Sequence, residues 1–166
     1  MNQATPIEYG ENAPKSREDT RTKVSAQVRS LVPARHGQQA VILYHYYERD
    51  LGPLRNLSDL GQADAQRVLD GIRARGETFA ARRPEGYLAR RRELEQYVRG
   101  LFISKGGKPT RAVPHYFVVE RCPWLETWYQ DAAWIKLSAE ALDEATISFT
   151  YGDMFPTFSP RVQDGR

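Results

Sequence analysis

The segment Val41-Ile42-Leu43-Tyr44-His45-Tyr46-Tyr47 constrains this chain more than any other. Every residue in it except one histidine is β-branched, aliphatic or aromatic, so it has no polar face. A strand of that kind is stable only when both of its faces are covered. The chain must therefore build a sheet with material on both sides, and Gly52-Pro53 marks where the connection turns away.

The next residues supply that cover. Ser58 is placed to cap a helix whose apolar stripe is Ala65, Val68, Leu69 and Ile72, with Gly76 to stop it. Pro84 suits the first turn of a second helix. In it Tyr87, Leu88, Leu94, Val98, Leu101 and Phe102 recur at three- and four-residue steps until Gly106-Gly107. Arg91 falls on or beside that stripe. The period then shortens. Val113–Val119 reads as a strand that Pro114 confines to an edge or a start. Trp124–Trp128 reads as a short helix or aromatic lid. Ala133–Leu137 and Thr146–Thr150 read as two further strands around a helical turn capped by Ser138, and Tyr151–Pro156 is turn chemistry bearing aromatics. The predicted class is α+β, a single domain over residues 40–160 with a mixed or mainly antiparallel sheet and a helical hairpin in its N-terminal half.

Residues 1–39 carry six Lys or Arg against four Asp or Glu, with few large apolar residues and no period. They read as a loosely attached basic tail with a transient helix around Asp19–Leu31, and residues 161–166 as a short C-terminal tail. At 166 residues the chain has room for one domain and little more. No apolar run reaches the roughly 18 residues that a membrane span needs, and the first residues lack the pattern of a secretory signal. The single cysteine, Cys122, leaves no internal disulfide and no cysteine-based zinc site, and the three histidines lack ligand spacing. A soluble, cytoplasmic protein without a metal is the expectation.

Two groups of residues could carry chemistry. The first gathers around His45, an imidazole in a strand of tyrosines, which could orient a hydroxyl or shuttle a proton near neutral pH or simply be a satisfied core residue. With it go Arg121-Cys122-Pro123-Trp124, a cation and an aromatic plane around one turn, and Tyr151-Gly152-Asp153 at a predicted strand end. The candidate catalytic residues are His45, Arg121 and Asp153; the candidate ligand-binding residues are Tyr44, Tyr46, Tyr116, Trp124 and Tyr151. The second group is the arginine-rich hairpin. Residues 67–99 hold nine Arg, no Lys and five acids, a net of +4, while the whole chain carries +3. Arg82, Arg83, Arg90 and Arg92 could track a nucleic-acid backbone or hold a diphosphate. The same arginines could instead belong to a solvated helix face paired with Glu93 and Glu95.

From Leu43-Tyr44-His45-Tyr46-Tyr47 through Pro114-His115-Tyr116-Phe117 to Ser148-Phe149-Thr150-Tyr151-Gly152-Asp153, the chain resembles a family of small bacterial proteins with no assigned activity. It also resembles ADP-ribosyltransferase domains of the DarT-like toxins that modify DNA. The matching features are Tyr44-His45 on a first strand, the turn Tyr116-Phe117-Val118-Val119-Glu120-Arg121-Cys122-Pro123, and Phe149-Thr150-Tyr151-Gly152-Asp153 after a late strand. That resemblance implies an ADP-ribosyltransferase-like fold and NAD or ADP-ribose as the nucleotide handled. His45 would then bond a ribose, one of Tyr46, Tyr47 or Tyr116 would stack on nicotinamide, and Arg121 would hold phosphate. Glycosidic cleavage would further need a carboxylate near the ribose hydroxyls. The toxins carry it on a late strand, whereas here no Glu follows Asp153, and Glu120, Glu126, Glu140 and Glu144 all lie elsewhere. The alternative function is a non-catalytic module that binds nucleic acid or a protein through the arginine hairpin.

Overall fold

The computed structural model describes residues 8–11 and 40–158. Strand β2 (Ile42–Glu48) lies inside an antiparallel sheet of order β1-β4-β2-β3, flanked by β4 (Ala132–Ser138) and β3 (Val118–Val119), with β1 (Glu8–Glu11) on the outer edge of β4. The long pairing runs from Ile42 opposite Ser138 to Glu48 opposite Ala132. Residues directly opposite share a face. One face therefore carries Leu43, His45 and Tyr47 with Ala133, Ile135 and Leu137. The other carries Tyr44 and Tyr46 with Trp134 and Lys136. Leu43, His45 and Ile135 on the first face are buried, and so is Tyr46 on the second. Burial on both sides is what the apolar run demanded.

The sheet departs from the sequence reading in three places, each for a physical reason. The predicted strand Val113–Val119 contracts to two residues because the carbonyls before it are taken by side chains. Asn56 Nδ2 donates to the Pro114 carbonyl at 2.8 Å and His45 Nδ1 lies 2.8 Å from that of Tyr116, while Pro114 has no N–H to offer. Thr146–Thr150 is not a strand: Thr146 N–H closes a turn onto the Asp143 carbonyl, and the residues after it pair with no strand among the described residues. Finally, Glu8–Glu11, inside the segment read as a tail, pairs with β4 from Glu8 opposite Lys136 to Glu11 opposite Ala133. The proposed helix around Asp19–Leu31 lies outside the described residues.

Two helices lie in the connection between β2 and β3. Helix α1 (Gln62–Arg75) starts after a 3₁₀ turn (Leu57–Asp59), so Ser58 does not cap it; the Asn56 side chain caps that turn instead, accepting from Ser58 N–H. It ends at Gly76, whose φ of 69° is the left-handed conformation that lets the chain reverse without a Cβ clash. Ala65 and Leu69 of α1 pack against Leu88 of α2 (Tyr87–Ser104), with Leu57 and Tyr87 at the margin. Burying leucines such as Leu69 and Leu88 contributes about 2 kcal/mol each. Among the described residues no helix is long and apolar enough to cross a membrane. On the Tyr46 side of the sheet, the 3₁₀ segment Pro123–Trp128 is clipped down by two bonds: Cys122 N–H donates to the Tyr46 hydroxyl, and Tyr129 donates its hydroxyl to the Tyr46 carbonyl, each at 2.8 Å.

Candidate functional site

The densest buried polar cluster is built on α2, where Tyr87, Arg91 and Glu95 follow one another at four-residue steps and so share a face. That face is the apolar one, beside Leu88 and Leu94. Instead of pointing to water, Arg91 and Glu95 are enclosed, with side-chain exposures of 13% and 1%. Arg91 bonds four partners. Its Nε–H is shared between Ser58 Oγ at 3.0 Å and Glu95 Oε1 at 2.9 Å; Nη1 donates to the Tyr87 phenol at 2.9 Å and Nη2 to Asn56 Oδ1 at 2.8 Å. Its guanidinium lies 4.9 Å from the centre of the Tyr116 ring. Burial by itself would lower its pKa, but Tyr87, Tyr116 and Glu95 outweigh that and raise it.

Glu95 completes the cluster. Its Oε1 accepts from Arg91 and, at 2.6 Å, from the Tyr116 hydroxyl. Its Oε2 is buried and has no partner. Tyr116 keeps 39% of its surface exposed, yet its hydroxyl turns inward, and burial together with the carboxylate pushes the phenol well above its usual pKa, against the pull of Arg91. The cover is a short helix α3 (Met154–Thr157). Met154 Sδ lies 3.8 Å from the Tyr116 hydroxyl, and the Phe155 ring stacks on Tyr87 at 5.2 Å with planes 6° apart. A buried carboxylate oxygen left without a donor costs at least about 1–3 kcal/mol. One oxygen is held by two donors while the other has no partner, so the carboxylate keeps unused acceptor capacity.

His45 adjoins this cluster through Tyr116. Its Nε2 accepts from Leu54 N–H at 3.0 Å, so Nδ1 carries the proton and donates to the Tyr116 carbonyl. Both ring nitrogens are thus engaged by backbone, and burial lowers its pKa, opposed by the Tyr116 carbonyl. The ring holds the residues around Leu54, the latter in a left-handed conformation at φ 61°, against the segment carrying Tyr116.

The other predicted residues fall elsewhere. Side chains alternate along β2, so Tyr44 and Tyr46 emerge on the face opposite His45. Tyr44 packs edge-on to Trp134 at 5.3 Å; the buried Tyr46 phenol is pushed up to about 12. Arg121 interacts electrostatically with these two tyrosines and pairs with Glu126 at 3.1 Å, which places it on their side of the sheet, away from His45. Asp153 caps α3, its Oδ1 accepting from Phe155 N–H at 2.7 Å. Tyr151 is exposed, with its carbonyl accepting from the Thr157 hydroxyl. Trp124 packs against Phe79 and Trp128. The structure therefore joins His45 and Tyr116, and separately Tyr44, Tyr46 and Arg121.

The hairpin arginines are mostly committed within the chain. Arg90 bonds Glu93 and the Phe158 carbonyl, and Arg92 bonds Gln62 and the Leu60 carbonyl. Arg82 sits over the Phe79 ring and Arg83 between Tyr87 and Trp128. Glu93 is exposed as a solvated helix face requires, whereas Glu95 is not. The residues that sequence reasoning missed are Glu95, Tyr87, Asn56 and Ser58. The available signal was an ion-pair spacing, Arg91 to Glu95, lying on the helix's apolar stripe.

The chain matches no protein-family model, no curated protein and no solved structure.

Proposed function

We propose that this protein binds a ribose-bearing nucleotide of the NAD or ADP-ribose class at the Glu95–Tyr116–Arg91 cluster, with a ribose hydroxyl donating to Glu95 Oε2. The observation that carries this reading is that open, buried oxygen on a carboxylate whose other oxygen is fixed by two donors. A ligand hydroxyl would complete the carboxylate's bonding, which is how buried polar groups earn specificity for hydroxylated ligands. The chemistry expected of an ADP-ribosyltransferase needs such a group. As nicotinamide leaves NAD, positive charge develops at the ribose carbon, and a carboxylate held against the ribose hydroxyls stabilises it. Glu95 offers that charge from a helix rather than from a late strand. Arg91 holds the carboxylate in place through its Nε–H. Tyr116, whose ring is partly exposed, offers a stacking plane at the rim.

Because α3 lays Met154 against Tyr116 and Phe155 against Tyr87, the two tyrosines of the cluster, binding at Glu95 is expected to shift α3 aside. Calorimetric and thermal-shift titration with NAD, ADP-ribose and adenosine tests the reading. Saturable binding that Glu95→Gln weakens at least tenfold, in a variant that still melts cooperatively, is expected. If none of the three binds, or all bind Glu95→Gln unchanged, the reading fails. Salt-sensitive binding of a DNA or RNA oligomer without any nucleotide effect would transfer the function to the arginine hairpin.

A further inference from the structure

Arg83 is a cation without an anion. Its guanidinium is clamped between two rings, 4.8 Å from the centre of Tyr87 and 5.2 Å from that of Trp128. Its Nε is buried and has no acceptor, and the same is true of Nε1 of Trp128, the ring it lies against. Of the two arginines whose charge it feels, Arg73 pairs with Asp70 at 3.1 Å and Arg91 with Glu95 at 2.9 Å. Among the described residues no carboxylate pairs with Arg83. Burial lowers its pKa, and the charges of Arg91 and Arg73 add to the cost while Tyr87 and Tyr129 reduce it. A guanidinium stays charged even so. Beside it, Phe79 and Trp124 form a partly exposed aromatic rim against Trp128.

The Nε–H of a half-buried guanidinium and an indole N–H, both buried and without acceptors on adjoining side chains, make a donor pair that one anionic group would satisfy. We propose that Arg83 and Trp128 form a phosphate subsite, with Arg83 N–H groups and Trp128 Nε1–H donating to separate phosphate oxygens. Phosphate fits better than carboxylate for two reasons. Its oxygens diverge tetrahedrally and can meet two donors on different side chains, and its larger charge answers a guanidinium that has no carboxylate of its own. The phosphate can be a free ion or part of a nucleotide. Tyr87 links this subsite to the Glu95 cluster, its ring lying under Arg83 and its hydroxyl accepting from Arg91. The phosphate proposal stands on its own observations and does not depend on what Glu95 binds.

The test is a proton–nitrogen correlation spectrum of the full chain, in which the Trp128 indole N–H is assigned by its loss in Trp128→Phe. Inorganic phosphate, ADP and adenosine are titrated separately at constant ionic strength. Phosphate and ADP should move the Trp128 indole resonance downfield and saturably, while adenosine should not. Arg83→Gln should abolish the shift. Should that variant fail to fold, Arg83→Lys, which keeps the charge but loses the guanidinium's fork, should weaken phosphate at least tenfold. Glu95→Gln should leave the phosphate shift intact, which separates this proposal from the one above. An equal shift with chloride or acetate, no saturable shift with phosphate, or an unchanged shift in Arg83→Gln would overturn it.

Discussion

The Tyr116 hydroxyl donates to Glu95 Oε1 across 2.6 Å, and the Tyr116 carbonyl lies 2.8 Å from His45 Nδ1. One residue thus ties the buried carboxylate on α2 to the central strand. Tyr116→Phe keeps the ring over Arg91 and deletes only the donor. Because Oε2 already lacks a partner, the carboxylate would be left with Arg91 alone. The expected cost is about 1–3 kcal/mol in denaturant unfolding. Nucleotide affinity should fall in the same variant, since Glu95 is no longer fixed. A loss of stability under a few tenths of a kcal/mol would mean that the hydroxyl is solvated in solution.

Burial decides how much each arginine–carboxylate pair is worth. Arg90–Glu93 is exposed on the glutamate side, with 66% of that side chain accessible, whereas Arg91–Glu95 is enclosed. Arg90→Ala should change stability through this pair by less than about 1 kcal/mol. Arg91→Met should cost about 3–5 kcal/mol, because it strands a buried carboxylate. The double variant Arg91→Met/Glu95→Met removes both charges and should recover a large part of that loss. Urea melts of the four proteins check the order, and equal effects of Arg90→Ala and Arg91→Met would refute the assignment.

His45 predicts how stability depends on pH. Its pKa in the folded chain is lowered, by burial first, whereas in the unfolded chain it titrates near 6.5. Below 6.5 the unfolded state therefore binds more protons, so stability is full above that pH and is lost as pH falls toward the folded value. Protonation must also break the bond from Leu54 N–H to Nε2. His115 is lowered too, by burial and then Arg111, and acts in the same direction. Stability should decline as pH falls below 6.5, and His45→Asn should flatten most of that decline while lowering stability at pH 7.5. An unaltered slope in His45→Asn would assign the effect to His115.

The main elements were legible because each carries a period of its own. The apolar run of β2 and the three- and four-residue stripes of α1 and α2 report burial directly. The outer strands were not, because pairing depends on which backbone groups are free. Thr146–Thr150 has the composition of a strand, but its start is taken into the turn that Thr146 N–H closes onto the Asp143 carbonyl. In Val113–Val119 the Pro114 and Tyr116 carbonyls go to Asn56 and His45, contacts 58 and 71 residues apart in sequence. Tyr116 was identifiable as a candidate from its neighbourhood. Glu95 was not, because Arg and Glu four apart on a helix ordinarily mark its solvated face. Only the three-dimensional packing of Asn56, Ser58 and Tyr116 over α2 puts this pair inside.

Asp153 separates two roles by experiment. As the N-cap of α3 it accepts from Phe155 N–H at 2.7 Å, and α3 in turn lays Met154 and Phe155 over the Glu95 cluster. Loss of such a cap weakens a helix by about 1 kcal/mol, a large share of what a single-turn helix contributes. Asp153→Ala should therefore speed amide exchange at Met154–Thr157 and accelerate nucleotide association several-fold. Global stability should change by no more than about 1 kcal/mol. Asp153→Asn and Asp153→Ser, which also cap, should restore the slow rates. A catalytic carboxylate would behave differently: association would be unchanged, any turnover of NAD would disappear, and serine would not rescue it. Stopped-flow binding alongside nicotinamide release distinguishes the two, and the capping geometry predicts the first pattern.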